Sequence, residues 1–254
     1  MKIINSIRWS ITWFALALLK KSNGYRLKKE GAKWLQPLRY NDPNIVNRTD
    51  FILEYCRDKR VLHIGFTDHP YTSERINSGD LLHSRLKEST AALAGIDVEE
   101  DAIRQYTSIT NDANVFYGDI TIQYPAEVIA FKPQLILLSE VLEHLTDPYK
   151  AIEILYRSFD AGTIVLVTVP NYTSLDSLTA SLHKTESIHS HHHWYFSPYT
   201  LRKLFDDKRF KLLQLNFGMY YQPQTKINAV LKEFPLNGDC IIALFSIIKN
   251  EAHA

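Results

Sequence analysis

Short apolar runs alternate with amphipathic stretches over most of the chain. Val61 to Gly65 is followed by Gly79 to Glu88, Ala91 to Asp97 by Glu99 to Thr107, and Leu135 to Ser139 by Asp147 to Phe159; further apolar runs lie at Asn114 to Tyr117 and Thr163 to Val169. The runs are rich in Val, Ile and Leu without a polar face, the pattern of strands covered on both sides, and the stretches between them have helical spacing. Strands alternating with helices predict a mostly parallel sheet with helices packed on both faces. After Asn171 the pattern gives way to a polar, histidine-rich segment, a helix over 198–205 with Ser197 as its cap, and two strand-like runs at Phe210 to Phe217 and Asp239 to Ile248.

Ahead of this region, residues 22–48 are polar and turn-rich, with Asn23-Gly24, Pro37 and Asp42-Pro43, and read as a linker with short helical pieces. The chain therefore divides into an N-terminal helical extension, 1–48, and a main domain, 49–254. Met1 to Arg8 is basic, and Trp9 to Leu19 is an apolar run closed by Lys20-Lys21. That run falls well short of the ~20 residues a spanning helix needs, and no small-x-small cleavage site precedes Lys20. Trp9 and Trp13, flanked by basic residues, suit either a helix lying in a membrane interface over residues 1–21 or one packed across the domain's own sheet edge.

With 254 residues the chain has room for one α/β domain with decorations. Lys plus Arg (29) nearly cancels Asp plus Glu (28), so the global basic field of nonspecific nucleic-acid binders is absent. Cys56 and Cys240 stand far apart without a CxxC pair, which argues against a zinc ribbon or a disulfide scaffold and fits a reducing, cytoplasmic setting.

The chemistry gathers where strands end, the place where open α/β sheets bind ligands. Glu140-Val-Leu-Glu143-His144 follows Leu135 to Ser139 directly. If a helix starts there, Glu140, Glu143 and His144 fall at i, i+3 and i+4 on one face, which is metal-ligand spacing. Such a set suits Mg²⁺ or Mn²⁺, and the imidazole tilts the choice toward Mn²⁺, Fe²⁺ or Zn²⁺. A capping acid and a core histidine would leave the same trace. Gly65 ends one strand with room for a ligand's close approach. Gly95-Ile96-Asp97 ends another with a carboxylate suited to a ribose diol, and Tyr117-Gly118-Asp119-Ile120 offers a carboxylate for an adenine's exocyclic amine. Strand-end acids also cap the helices that follow them.

Gly65, Asp97, Asp119, the block from Ser139 through Glu143-His144 to Asp147-Pro148, Val165 to Pro170-Asn171, and Phe196 to Leu201 stand in the order seen in class I S-adenosylmethionine-dependent methyltransferases. The chain resembles that family over residues 55–218. It is most similar to the branch that includes the ubiquinone-pathway O-methyltransferases and bacterial enzymes acting on sugars and surface glycans. The resemblance implies a Rossmann-like, doubly wound, mostly parallel seven-stranded sheet. It places Gly65 at the methionine part of S-adenosyl-L-methionine, Asp97 with Val98 at the ribose, Asp119 and Ile120 at the adenine, and Ser139 as the floor under the sulfonium. The first loop departs from the family's acid-x-Gly-x-Gly-x-Gly: this chain has His63-Ile-Gly65-Phe-Thr-Asp68-His-Pro70, with His63 in the acid's place and Asp68 as the loop's carboxylate.

Ile188 to Phe196 holds four of the chain's ten histidines. Together with the Glu-x-x-Glu-His block it resembles the small-RNA 3′-end 2′-O-methyltransferases, in which two glutamates and two histidines hold a divalent metal against a ribose diol. The resemblance implies Glu140, Glu143, His144 and His192 as metal ligands, His192 ahead of His189. Without a metal, His144 or His192 would serve as the catalytic base. Alternatively these histidines cap the next helix and pack on Trp194 and Phe196. The expectation is an S-adenosylmethionine-dependent O-methyltransferase, assisted by Mg²⁺ or Mn²⁺, acting on a sugar, glycan or other diol-bearing small molecule. An RNA 2′-O-methyltransferase and a non-catalytic methyltransferase-like binding module are the other readings. The neutral net charge puts nucleic acid behind the small acceptor.

Overall fold

From Val61 onward, each apolar run becomes a strand of one sheet. The computed structural model describes residues 44–220, 231 and 233–249; the segment 1–43, including the tryptophan-rich run, lies outside them. The strands are β1 (Ile45–Asn47), β2 (Arg60–Ile64), β3 (Ala92–Asp97), β4 (Val115–Tyr117), β5 (Leu135–Ser139), β6 (Ile164–Pro170), β7 (Phe210–Met219) and β8 (Cys240–Ile247). Their order is β1-β7-β8-β6-β5-β2-β3-β4. All neighbours are parallel except β8, which runs antiparallel to both β6 and β7. The sheet has eight strands where seven were expected. The extra one, β1, pairs with β7 at the edge and starts ahead of Thr49.

Helices cover both faces: α1 (Arg48–Cys56), α2 (Thr72–Ser78), α3 (Leu82–Lys87), α4 (Glu100–Thr110), α5 (Ala126–Ala130), α6 (Pro148–Ser158), α7 (Leu175–Leu182) and α8 (Pro198–Leu204). Strand residues alternate between two cores, as the two-residue period requires. Ile64, Ile96, Ile136, Leu138, Val165, Val167 and Phe245 pack with Ile152 and Leu155 of α6 and Leu201 of α8. Val61, Leu93, Leu135, Leu137, Leu166 and Leu244 pack with Ile52 and Cys56 of α1 and Leu86 of α3. Both cysteines are free and buried in this second layer.

Helix starts follow side-chain caps. Asn47, Asp147 and Ser174 accept from backbone N–H groups of Asp50, Lys150 and Ser177, and Ser197 forms a capping box with Thr200. The helix expected over 79–88 covers only Leu82–Lys87, as α3, and a separate helix, α2, precedes it. Gly79 takes φ +77° and closes α2, and the chain then re-enters as α3. Among the described residues no helix is long and apolar enough to cross a membrane.

Candidate active site

The parallel strands β2, β3, β4 and β5 end at one crevice, and each contributes a sequence-marked residue. Gly65 has φ +67°, and its N–H donates to the Ile96 carbonyl at 2.9 Å. A Cβ there would lie 2.6 Å from Val141 Cγ2, so conformation and space both demand glycine. At the head of β3 the Asp97 carboxylate is almost buried and takes four donors. Oδ2 accepts from the Thr67 N–H (3.0 Å) and hydroxyl (2.8 Å), and Oδ1 from the N–H groups of Val98 and Glu99 (2.8 and 3.1 Å). Val98 beside it is exposed. Past β4, Asp119 Oδ1 accepts the N–H and hydroxyl of Thr121, both at 2.7 Å, so Oδ2 stays open among the described residues; Ile120 is buried next to it.

These groups fit a nucleoside-bearing cofactor. The open oxygen of Asp119 can accept from an amine, the side-chain-free Gly65 permits close approach, and Asp97 can accept from a diol once Thr67 lets go of Oδ2. Asp68, the loop's carboxylate, pairs with Arg75 and is half exposed. His63, in the place of the family's acid, is buried and pairs Nδ1 to Nδ1 with His83 at 3.2 Å. One imidazole must donate and the other accept, so the two cannot both be charged. Burial holds both well below the usual histidine range, His83 at about 3. Phe66 packs on His83 and Tyr106 and fills the space above Gly95.

After Ser139 the chain does not enter a helix. Glu140 takes φ +58°, and a short 3₁₀ turn covers Leu142–His144, so the i, i+3, i+4 face expected for Glu140, Glu143 and His144 does not form. Glu140 is drawn aside. Its Oε1 accepts from the Thr168 hydroxyl at 2.7 Å and lies 3.7 Å from Arg48 Nη1, and its Oε2 accepts from the Tyr220 hydroxyl at 2.6 Å. Thr168 spends its one proton on Glu140, so Ser139, 3.2 Å away, must donate to Thr168 while accepting from Arg48 at 3.0 Å. The expected floor residue is thus one link in a chain running from Arg48 through Ser139 and Thr168 to Glu140.

Glu143 goes the other way. It is fully buried with both carboxylate oxygens unpartnered, and its ligand atom, with those of His144 and His192, forms a group within 4.8 Å of one another. Burial, then the charge of Glu140, pushes the Glu143 carboxyl well up. The rings of His144 and His192 meet edge to face at 4.5 Å. Burial, then neighbouring histidines, lowers both imidazoles, His192 to about 4, so both are neutral at pH 7. The histidine segment is fastened to this turn by backbone: the His193 N–H donates to the Glu143 carbonyl (2.7 Å) and Trp194 Nε1 to the Leu145 carbonyl (2.7 Å). Ser197, not a histidine, caps α8.

An unpartnered buried carboxylate beside two neutral imidazoles fits a divalent cation. Three of the four expected ligands converge, Glu143, His144 and His192, and Glu140 is held outside the group. Alongside opens a cleft of about 430 Å³, lined in part by His189, His192, Trp194, Tyr195, Tyr220 and Asp239.

Arg48, Thr67, Thr168 and Tyr220 escaped the sequence reading. Thr67 had a signal, because it stands where the family's loop has a glycine. Arg48 and Tyr220 had none; their reach depends on where α1 and β7 end.

The family described as "Methyltransferase domain" matches residues 54–215. No curated protein matches the chain by sequence. Solved structures with a TM-score of 0.50 or more share its fold. A SAM-dependent methyltransferase from Aquifex aeolicus has a TM-score of 0.50 at 12% identity, covering 80% of this chain and 91% of that one. The small RNA methyltransferase HEN1 has a TM-score of 0.54 at 12% identity, over 87% of this chain and 27% of that one. The N-methyltransferase NodS from Bradyrhizobium japonicum WM9 has a TM-score of 0.49 at 16% identity, over 80% and 95%.

Proposed function

Because the chain belongs to the class I S-adenosylmethionine-dependent methyltransferases, we propose that it methylates a hydroxyl of a sugar, glycan or other diol-bearing small molecule. The observation that carries this reading is the convergence of Glu143, His144 and His192 beside the cleft, next in sequence to the cofactor crevice. The motif order nearest the ubiquinone-pathway and glycan-modifying enzymes supports the hydroxyl acceptor. Two free, buried thiols suit a cytoplasmic setting.

S-adenosylmethionine supplies a methyl carbon already activated by its sulfonium. The acceptor oxygen attacks that carbon in line, the carbon–sulfur electron pair stays on sulfur, and the hydroxyl proton must leave. Without a metal, His144 and His192 are neutral at pH 7, and either imidazole can take that proton. A divalent cation held by Glu143, His144 and His192 would supply Lewis acidity that makes a diol hydroxyl easier to ionise. Arg48, Ser139, Thr168, Glu140 and Tyr220 are joined in one hydrogen-bonded chain, whose Tyr220 also lines the cleft.

Calorimetric titration of the purified chain with S-adenosylmethionine, with and without Mg²⁺ or Mn²⁺, tests the reading. Micromolar cofactor binding together with metal binding that His192→Ala removes supports it. No cofactor binding in any condition would make the altered first loop decisive and leave the chain a binding module.

A further inference from the structure

The cleft beside the histidines carries charge of one sign. Asp176 from the first turn of α7, Glu186 and Asp239 line it, and among the described residues no lysine or arginine does. Nor does any of the three carboxylates pair with a cation elsewhere in the described residues. Among the described residues the Asp239 carboxylate has one partner, the Tyr220 N–H at 3.2 Å. Burial, with the nearby charge of Asp176, raises its carboxyl. The other walls are aromatic: Trp194 and Tyr195 keep a third or more of their surface exposed. Behind His192, Glu143 holds two further unpartnered oxygens with no exposed surface.

Carboxylates held near one another in a partly dry cleft are relieved by a cation, and charge-assisted hydrogen bonds to them are the strong kind. A phosphate brought there would meet like charge. Aromatic faces favour both a sugar's C–H surface and a cation. We propose that the cleft recognises its acceptor through a protonated amine, with Asp239 and Asp176 as counter-charges and Trp194 and Tyr195 against the body of an amino-sugar-like molecule. This rests on reading the cleft as the acceptor site. An alkyl ammonium at pH 7 has no free lone pair, so the amine is the anchor and a hydroxyl toward His192 is the nucleophile.

The test is ligand-observed NMR titration of the full chain with glucosamine, N-acetylglucosamine and glucose 6-phosphate, with and without S-adenosylhomocysteine. Glucosamine should bind at least about tenfold more tightly than its N-acetyl form, with the phosphate weakest. Asp239→Asn and Asp176→Asn should each shrink that preference severalfold while leaving S-adenosylhomocysteine binding unchanged. Glucosamine binding no tighter than the N-acetyl form, including no measurable binding of either, overturns the proposal, as does a preference untouched in both variants. Failure of S-adenosylhomocysteine to bind would instead strike the methyl-transfer reading, and the cofactor-free titration would still report on the cleft.

Discussion

Thr67 holds one oxygen of Asp97 with two hydrogen bonds, from its amide at 3.0 Å and its hydroxyl at 2.8 Å. The carboxylate that should receive a ribose diol is therefore already satisfied by its own loop. Thr67→Gly removes the hydroxyl and restores a residue type the family uses there. Cofactor affinity should rise about three- to tenfold, the scale of one charge-assisted hydrogen bond. Asp97→Ala should lower it by tenfold or more. Calorimetry decides both, and unchanged affinity in Thr67→Gly would mean that the threonine does not compete.

Glu143 should show opposite effects on stability and on activity. Its buried carboxyl lacks a partner and is pushed well up by burial, so Glu143→Gln replaces a group that is costly to ionise there with a neutral one of similar shape. The metal-free variant should be as stable as the parent or more so, by about 1 kcal/mol. Stabilisation by Mn²⁺ and methyl transfer should both vanish. Thermal melts with and without Mn²⁺ check this; a variant still stabilised by the metal would remove Glu143 from the ligand set.

Gly65→Ala puts a Cβ 2.6 Å from Val141 Cγ2 at a positive φ. A loss of about 1–3 kcal/mol is expected from the left-handed backbone and the clash together. Val141→Ala in the same chain should recover the clash component and not the backbone component. Chemical denaturation of the single and double variants separates them, and an additive double variant would show that the methyl never met Val141.

Acid should unfold this protein through His63 and His83. Both are neutral when folded, His83 down to about pH 3, whereas in the unfolded chain they take protons below their ordinary value of about 6.5. The unfolded state binds more protons in that window, so stability is full above it and falls as pH drops through it. The slope is about 1.4 kcal/mol per pH unit for each histidine. His83→Gln keeps a partner for His63 and removes one titrating group. Its melting temperature should fall less between pH 7 and pH 4.5 than the parent's; parallel curves would assign the acid lability elsewhere.

The strands were legible because burial on both faces writes itself into local composition, as in Leu135 to Ser139, where the expected and observed bounds coincide. The helix capped by Ser197 was legible too, one residue shorter than expected at Leu204, and Gly65, Asp97 and Asp119 stand at or just past strand ends. β1 left no trace, since three residues paired only at an edge need no apolar run of their own. Helix α7 was hidden by its serines and threonines. The fate of Glu140 was illegible for a different reason. Its spacing to Glu143 and His144 meant one face only if the backbone was helical, whereas Glu140 takes a left-handed turn and bonds to Thr168 and Tyr220, 28 and 80 residues away. The union of Asp176, Glu186 and Asp239 likewise exists only in three dimensions.

Strand β8 sits between β6 and β7 although its residues are made after both. As the chain emerges from the ribosome, β2 to β6 can assemble into a parallel core, but β7 and its edge partner β1 have nothing to join until Cys240 to Ile247 is available. Termination ahead of Cys240 would therefore cost three strands rather than one, and Tyr220, carried by the end of β7, would lose its place beside Glu140 with them.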